Sequence, residues 1–117
     1  MIRPSILGAC FAASVLVFSG AAIAGPYDGQ WIMSTTSNRS NCGGGTNELS
    51  IADGKISGSV IGKNGTYTAK GTVSDEGKVR MKLDTGTVIF KGKADGAGLK
   101  GNWNAGHCMG RFTMMRK

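Results

Sequence analysis

Apolar and polar positions alternate through residues 30–115, in short runs rich in Val, Ile, Thr and aromatic residues. A period of two is that of a strand with one buried face, and no ten-residue stretch carries the 3.6 period of an amphipathic helix. Turn chemistry punctuates these runs every 9 to 11 residues: Asp53-Gly54, Asn64-Gly65, Asp75-Glu76-Gly77, Asp84-Thr85-Gly86 and Asp95-Gly96-Ala97-Gly98. Asn-Gly and Asp-Gly supply the left-handed backbone that tight hairpins need. The pattern predicts eight antiparallel strands, at 30–37, 47–52, 55–62, 66–74, 78–83, 87–94, 98–104 and 108–115.

Alternation then sorts two faces. Trp31, Met33, Leu49, Ile51, Ile56, Val60, Tyr67, Val73, Val79, Met81, Leu83, Val88, Phe90, Leu99, Trp103, Phe112 and Met114 share the apolar face. Ser34, Thr36, Lys55, Thr68, Lys70, Lys78, Arg80, Lys82, Lys91, Lys93, Lys100 and Arg111 share the wet one. Eight strands with one apolar face close into an up-and-down barrel, which also removes exposed edges. In an even-numbered meander the loop after the first strand and the loop before the last lie at one end. Cys42 stands in the first loop and Cys108 opens the last strand. Closure brings the two thiols together beside the seam, whereas an open sheet leaves them several strands apart, beyond disulfide reach. Gly58, Gly71, Gly92, Gly101 and Gly110 share the inward phase and mark places where the sheet coils sharply or a bulky neighbour fills the middle. With so many apolar candidates for eight short strands, the interior is expected to be plugged by side chains rather than left as a roomy cup.

The amino-terminal segment does not share the alternation. Arg3 is followed by a run, Ile6 to Ile23, that is apolar or small throughout, and then by Ala22-Ile23-Ala24 before Gly25. Residues 1–24 therefore read as a secretory signal peptide, leaving one domain over 25–117 and no transmembrane segment after its cleavage. Leu7-Gly8-Ala9-Cys10 departs from a lipoprotein box, because most of the apolar stretch follows the cysteine. Export places the chain in the periplasm or outside the cell. There an even pair, Cys42 and Cys108, reads as a disulfide, and so small a domain gains from one.

The chain carries a formal charge of +7; without Arg3, thirteen Lys and Arg face seven Asp and Glu, a net of +6. The excess is concentrated. Lys78, Arg80 and Lys82 share a phase on the fifth strand, Lys91 and Lys93 on the sixth and Lys100 on the seventh, with Lys70 beside them. An anionic lipid, polysaccharide or acidic protein would feel such a face, and its lysines also discourage sheet stacking. Nucleic acid fits poorly, since no outward aromatics offer stacking platforms.

Catalytic chemistry finds few candidates. His107 is the single histidine, no Gly-x-Ser-x-Gly elbow occurs, and the acids stand mostly at hairpin tips where turn chemistry accounts for them. A metal would need His107 with soft partners such as Met109, Met33 or Met81, and no second histidine is present, so neither metal nor other cofactor is expected. Asn41-Cys42-Gly43-Gly44-Gly45-Thr46 lacks the Lys-Ser/Thr and helix of a phosphate loop. It reads as a tethered flexible loop, or as a recognition loop in which Arg39, Asn41 and His107 form one rim patch.

Asp28-Gly29-Gln30-Trp31 resembles the Gly-x-Trp opening of calycin barrels, the lipocalin and avidin group. The resemblance implies a tryptophan plugging one barrel end, crossed by a basic residue of the last strand, here Arg111 or Arg116. The chain is also similar to small secreted proteins of alphaproteobacteria. They share a Tyr/Phe-Asp-Gly-x-Trp start, an early cysteine, a late Gly-x-Trp and a final Cys-x-Gly-x-Phe/Trp strand. Here those are Tyr27 to Trp31, Cys42, Gly101-Asn102-Trp103 and Cys108-Met109-Gly110-Arg111-Phe112. This likeness implies export and a calycin-like barrel. A looser analogy, on size, disulfide and export, is with periplasmic β-barrel inhibitors of proteases or lysozymes. The expected function is a non-enzymatic exported binding protein that meets an anionic envelope or surface partner through its basic face. The alternatives are a hydrolase inhibitor acting through residues 39–46 and a small-ligand carrier, which would require a real cavity.

Overall fold

The computed structural model describes residues 25–62 and 64–117; the expected leader lies outside the described residues. The strands are β1 Gly29–Ser37, β2 Gly45–Ala52, β3 Lys55–Gly62, β4 Gly65–Val73, β5 Lys78–Leu83, β6 Ile89–Asp95, β7 Gly98–Asn104 and β8 Met109–Arg116. Each pairs antiparallel with the next, and β8 returns to β1 from Trp31↔Arg116 to Ser37↔Gly110, closing an up-and-down barrel. The turn between β2 and β3 shows the predicted chemistry directly: Asp53 and Gly54 both have left-handed φ, 54° and 73°, as a two-residue hairpin of primed type requires.

Antiparallel pairing of successive strands puts alternate turns at opposite ends. The β1–β2, β3–β4, β5–β6 and β7–β8 loops lie at one end, which we call the mouth. Gly25, where the described residues begin, Lys117 and the other three turns lie at the second end, the plug. Cys42 and Cys108 are bonded at the mouth, with Cα atoms 5.6 Å apart, where the even strand count puts them. Cys108 itself precedes β8 rather than opening it.

The expected apolar face is the core, with two corrections. Tyr67 and Val88 are half-buried rather than buried, because both stand at the mouth, where β6 begins only at Ile89. Ala69 and Asn47 are buried in their stead. Phe112 packs edge-on against Phe90 with centroids 5.5 Å apart, and Trp103 lies 6.4 Å from Phe90. Contacts of this kind add about 1 kcal/mol each beyond the area they bury. Inward glycines make the space. A Cβ on Gly92 would fall 2.8 Å from Phe112 Cζ, and one on Gly101 only 2.0 Å from the Lys91 carbonyl oxygen. The sheet therefore coils tightly at the Gly92↔Gly101 step, with the aromatic cluster filling the barrel's middle.

The plug end is built around Trp31, which is 1 % exposed and donates its indole N–H to the Tyr27 carbonyl at 2.8 Å. The Arg116 guanidinium lies 4.6 Å over its ring and donates to the Asp28 and Pro26 carbonyls, both at 2.7 Å. Arg116, not Arg111, is thus the residue that crosses the tryptophan. Strand alternation decides this, since Arg111 points outward beside Thr36 and Asn102.

Asp28 ties this end together by accepting from the Asp53 N–H at 2.8 Å and the Gly54 N–H at 3.2 Å. The Asp53 N–H foremost holds its carboxyl below the ordinary 3.8, against a desolvation that opposes it; the N–H groups of Gly54 and Gly25 and the charge of Arg116 add to the lowering. A depressed carboxyl stabilises the fold fully above its ordinary value and loses that contribution as pH falls through the depressed one. An Asp28→Ala variant is expected to melt below the parent at neutral pH. The gap should narrow as the pH is taken below 3.8, which paired thermal melts at the two pH values would read.

Candidate functional site

The ladder registers lay the cations of β4 to β8 on one outer grid. Lys78, Lys93 and Lys100 form the row nearest the plug, since Lys78 pairs with Lys93 and Lys93 with Lys100. Arg80, Lys91, Asn102 and Arg111 form the next. Lys70 and Lys82 begin the row nearest the mouth, which continues through Ile89, Asn104 and Met109. All seven cations expected on this face are there and exposed. Arg111 belongs with them: its outward phase was legible, but its place beside Lys91 depends on the β7–β8 register. Like charges directly opposite one another across a ladder are unfavourable, so this face is not explained by the stability of the barrel.

The acids are distributed otherwise. Asp28, Asp53, Asp75, Glu76 and Asp95 are all at the plug end, in the amino-terminal segment and the β2–β3, β4–β5 and β6–β7 turns. Glu48 lies on β2, on the far side of the barrel, and pairs with Lys117. Asp84, in the β5–β6 loop, is the single carboxylate at the mouth among the described residues. The plug-end row of lysines is consequently partly neutralised. Lys100 meets Asp95 at 2.5 Å, and that hydrogen bond, with the charges of Lys100 and Lys93, holds the Asp95 carboxyl below its ordinary value. Lys70, Arg80, Lys82, Lys91 and Arg111 make no ion pair among the described residues. These five cations therefore run across the face, from Lys70 on β4 through Arg80 and Lys82 on β5 and Lys91 on β6 to Arg111 on β8.

The mouth itself has a structural cause. Pairing of β2 with β3 stops at Leu49↔Gly58, and pairing of β4 with β5 stops at Ala69↔Leu83, so the β3–β4 hairpin outruns both neighbours. Asn47 fills the resulting gap by accepting the Ile61 N–H at 2.9 Å, which accounts for its burial. Asn47 opens the predicted strand 47–52 in the inward phase of Leu49 and Ile51, and its polar side chain alone keeps it off the expected apolar face. Behind the hairpin is an open depression of about 750 Å³, walled by Val60, Tyr67, Leu83, Val88, Phe90 and Trp103 with the disulfide at its edge. Beneath it, Trp31, Phe90 and Trp103 are buried and fill the barrel, so the opening is shallow.

The rim trio is only partly assembled. The disulfide brings the loops of Asn41 and His107 to one side of the mouth, and all three side chains are exposed. Asn41 lines the depression, whereas Arg39 and His107 do not. The loop is held from within: Ser37 Oγ lies 2.8 Å from the Arg39 carbonyl and 2.7 Å from that of Gly43. Among the described residues no group of three or more His, Cys, Asp or Glu could hold a metal ion, and no helix is long and apolar enough to cross a membrane. Comparison of the chain with protein-family models, curated proteins and solved structures gives no match.

Proposed function

We propose that this chain is an exported, non-enzymatic binding protein of calycin-like architecture that engages a polyanionic partner through the outer face of β4 to β8. The observation that carries the reading is the separation of charge. Five strand-borne cations, Lys70, Arg80, Lys82, Lys91 and Arg111, make no ion pair among the described residues, while five of the seven acids gather at the plug end. Such a face raises the rate and strength of encounter with an anionic surface, and salt weakens both. The Trp31–Arg116 plug and the cysteine pair support the calycin-like assignment, and the leader-like segment 1–24 supports export.

Two variants of equal net charge test it. Lys82→Gln with Lys91→Gln removes two cations from the face. Thr46→Glu with Ser59→Glu makes the same change on the exposed far side, on β2 and β3. Binding to immobilised dextran sulfate at low salt should weaken about tenfold in the first pair and less than threefold in the second. Equal losses would mean that net charge alone acts and that the face is not a site.

A further inference from the structure

The cationic face ends in an apolar lip. In the row nearest the mouth, Ile89 and Met109 flank Asn104 and point outward, 37 % and 44 % exposed. One row behind stand Lys91 and Arg111, flanking Asn102 in the same way. These residues line a single surface depression of about 700 Å³ on the outside of β6 to β8. Asp84, the one acid at that end, is not among its walls. Resting on the polyanion reading above, we infer that the partner is an anionic lipid leaflet, entered by the Ile89–Met109 lip while Lys91 and Arg111 hold lipid phosphates.

Spacing and order argue for lipid over a soluble polyanion. Two residues along a tilted barrel strand advance about 5 to 7 Å towards the mouth. That is the depth at which an interfacial apolar face sits below the headgroups, roughly 5–10 Å. A cation row at the phosphate level with two apolar side chains one step deeper reproduces the polarity profile of a leaflet. A soluble anionic polymer would be served by the cations and would leave the lip in water. Arg111 suits a phosphate because its planar fork donates two parallel hydrogen bonds, and the Asn102 amide between the two cations can add a third donor. Methionine at the lip adapts to disordered chains better than a branched residue does. The acids at the plug end turn the barrel so that this end leads.

The test pairs vesicles with a soluble polyanion. The full chain and an Ile89→Ser, Met109→Ser variant are titrated with vesicles of one part anionic to three parts zwitterionic phospholipid, and separately with dextran sulfate. Both substituted side chains are exposed, and matching thermal midpoints show that the variant is folded. The inference expects vesicle affinity about tenfold weaker in the variant, dextran sulfate affinity unchanged within twofold, and no binding of either protein to purely zwitterionic vesicles. Equal vesicle affinity for variant and parent overturns the inserted lip and leaves the polyanion reading standing. So does binding of dextran sulfate with none of vesicles, which assigns the face to a soluble polymer. Failure of the parent to bind either probe overturns both readings.

Discussion

A Cys42→Ala, Cys108→Ala variant is expected to unfold on the order of 20 °C below the parent. The bond closes a stretch with a sequence separation of 66 residues, and cross-linking a loop of that length removes roughly 4 kcal/mol of unfolded-state entropy in the chain model. For a domain of this size each kcal/mol moves the midpoint by about 4–8 °C. The effect falls on the unfolded chain because the native seam beside the bond is independently held. The Trp103 indole N–H donates to the Thr36 carbonyl at 2.9 Å, and Asn38 and Met109 exchange hydrogen bonds at 2.8 and 3.2 Å. The variant should therefore refold to a closed barrel that still binds dextran sulfate at low temperature. Calorimetry with and without reductant checks this, since reduction should lower the parent to the variant's midpoint and leave the variant unmoved. A loss of less than 5 °C would mean that the bond closes a loop already ordered in the unfolded ensemble.

Most of this barrel can be read from the chain because one constraint recurs at every strand. A strand with a buried face must alternate, and a hairpin of two to five residues must carry Gly, Asn or Asp. The strand bounds move by at most two residues, as at β6, where Val88 continues the alternation in sequence but lies in the loop. The features that escape the pattern are those set by register between strands distant in the alternation. Arg111 joins Lys91 through two ladders, and Asn47, inward by phase, finds the Ile61 N–H as its partner only through the β3–β4 hairpin's excess length. The segregation of acids is of the same kind. Asp53, Asp75, Glu76 and Asp95 occupy alternate turns, which in sequence are merely turns. Antiparallel pairing of successive strands puts alternate turns at one end, and so converts local turn chemistry into a molecular charge asymmetry. The candidate site narrows accordingly, from a stripe of seven equal cations to five, with Arg111 in place of Lys78, Lys93 and Lys100, the row nearest the plug-end acids.

Trp31→Ala is expected to cost about 4 kcal/mol, as loss of a fully buried large aromatic typically does, with urea unfolding as the measure. A value below about 2 kcal/mol would show that the plug end collapses onto the space without penalty. Arg116→Ala should cost less than Trp31→Ala. The double variant should fall short of the sum by about 1 kcal/mol, because the guanidinium stacks on the indole it would no longer meet. Arg111→Ala is the informative control. Its side chain is outward and exposed, so it should change stability by no more than about 0.5 kcal/mol while weakening dextran sulfate binding. Two arginines five residues apart on one strand then separate cleanly. Arg116 covers the tryptophan at the plug, and on the proposed reading Arg111 serves the outer face near the mouth. On that reading, stability and binding are carried by opposite ends of the same strand.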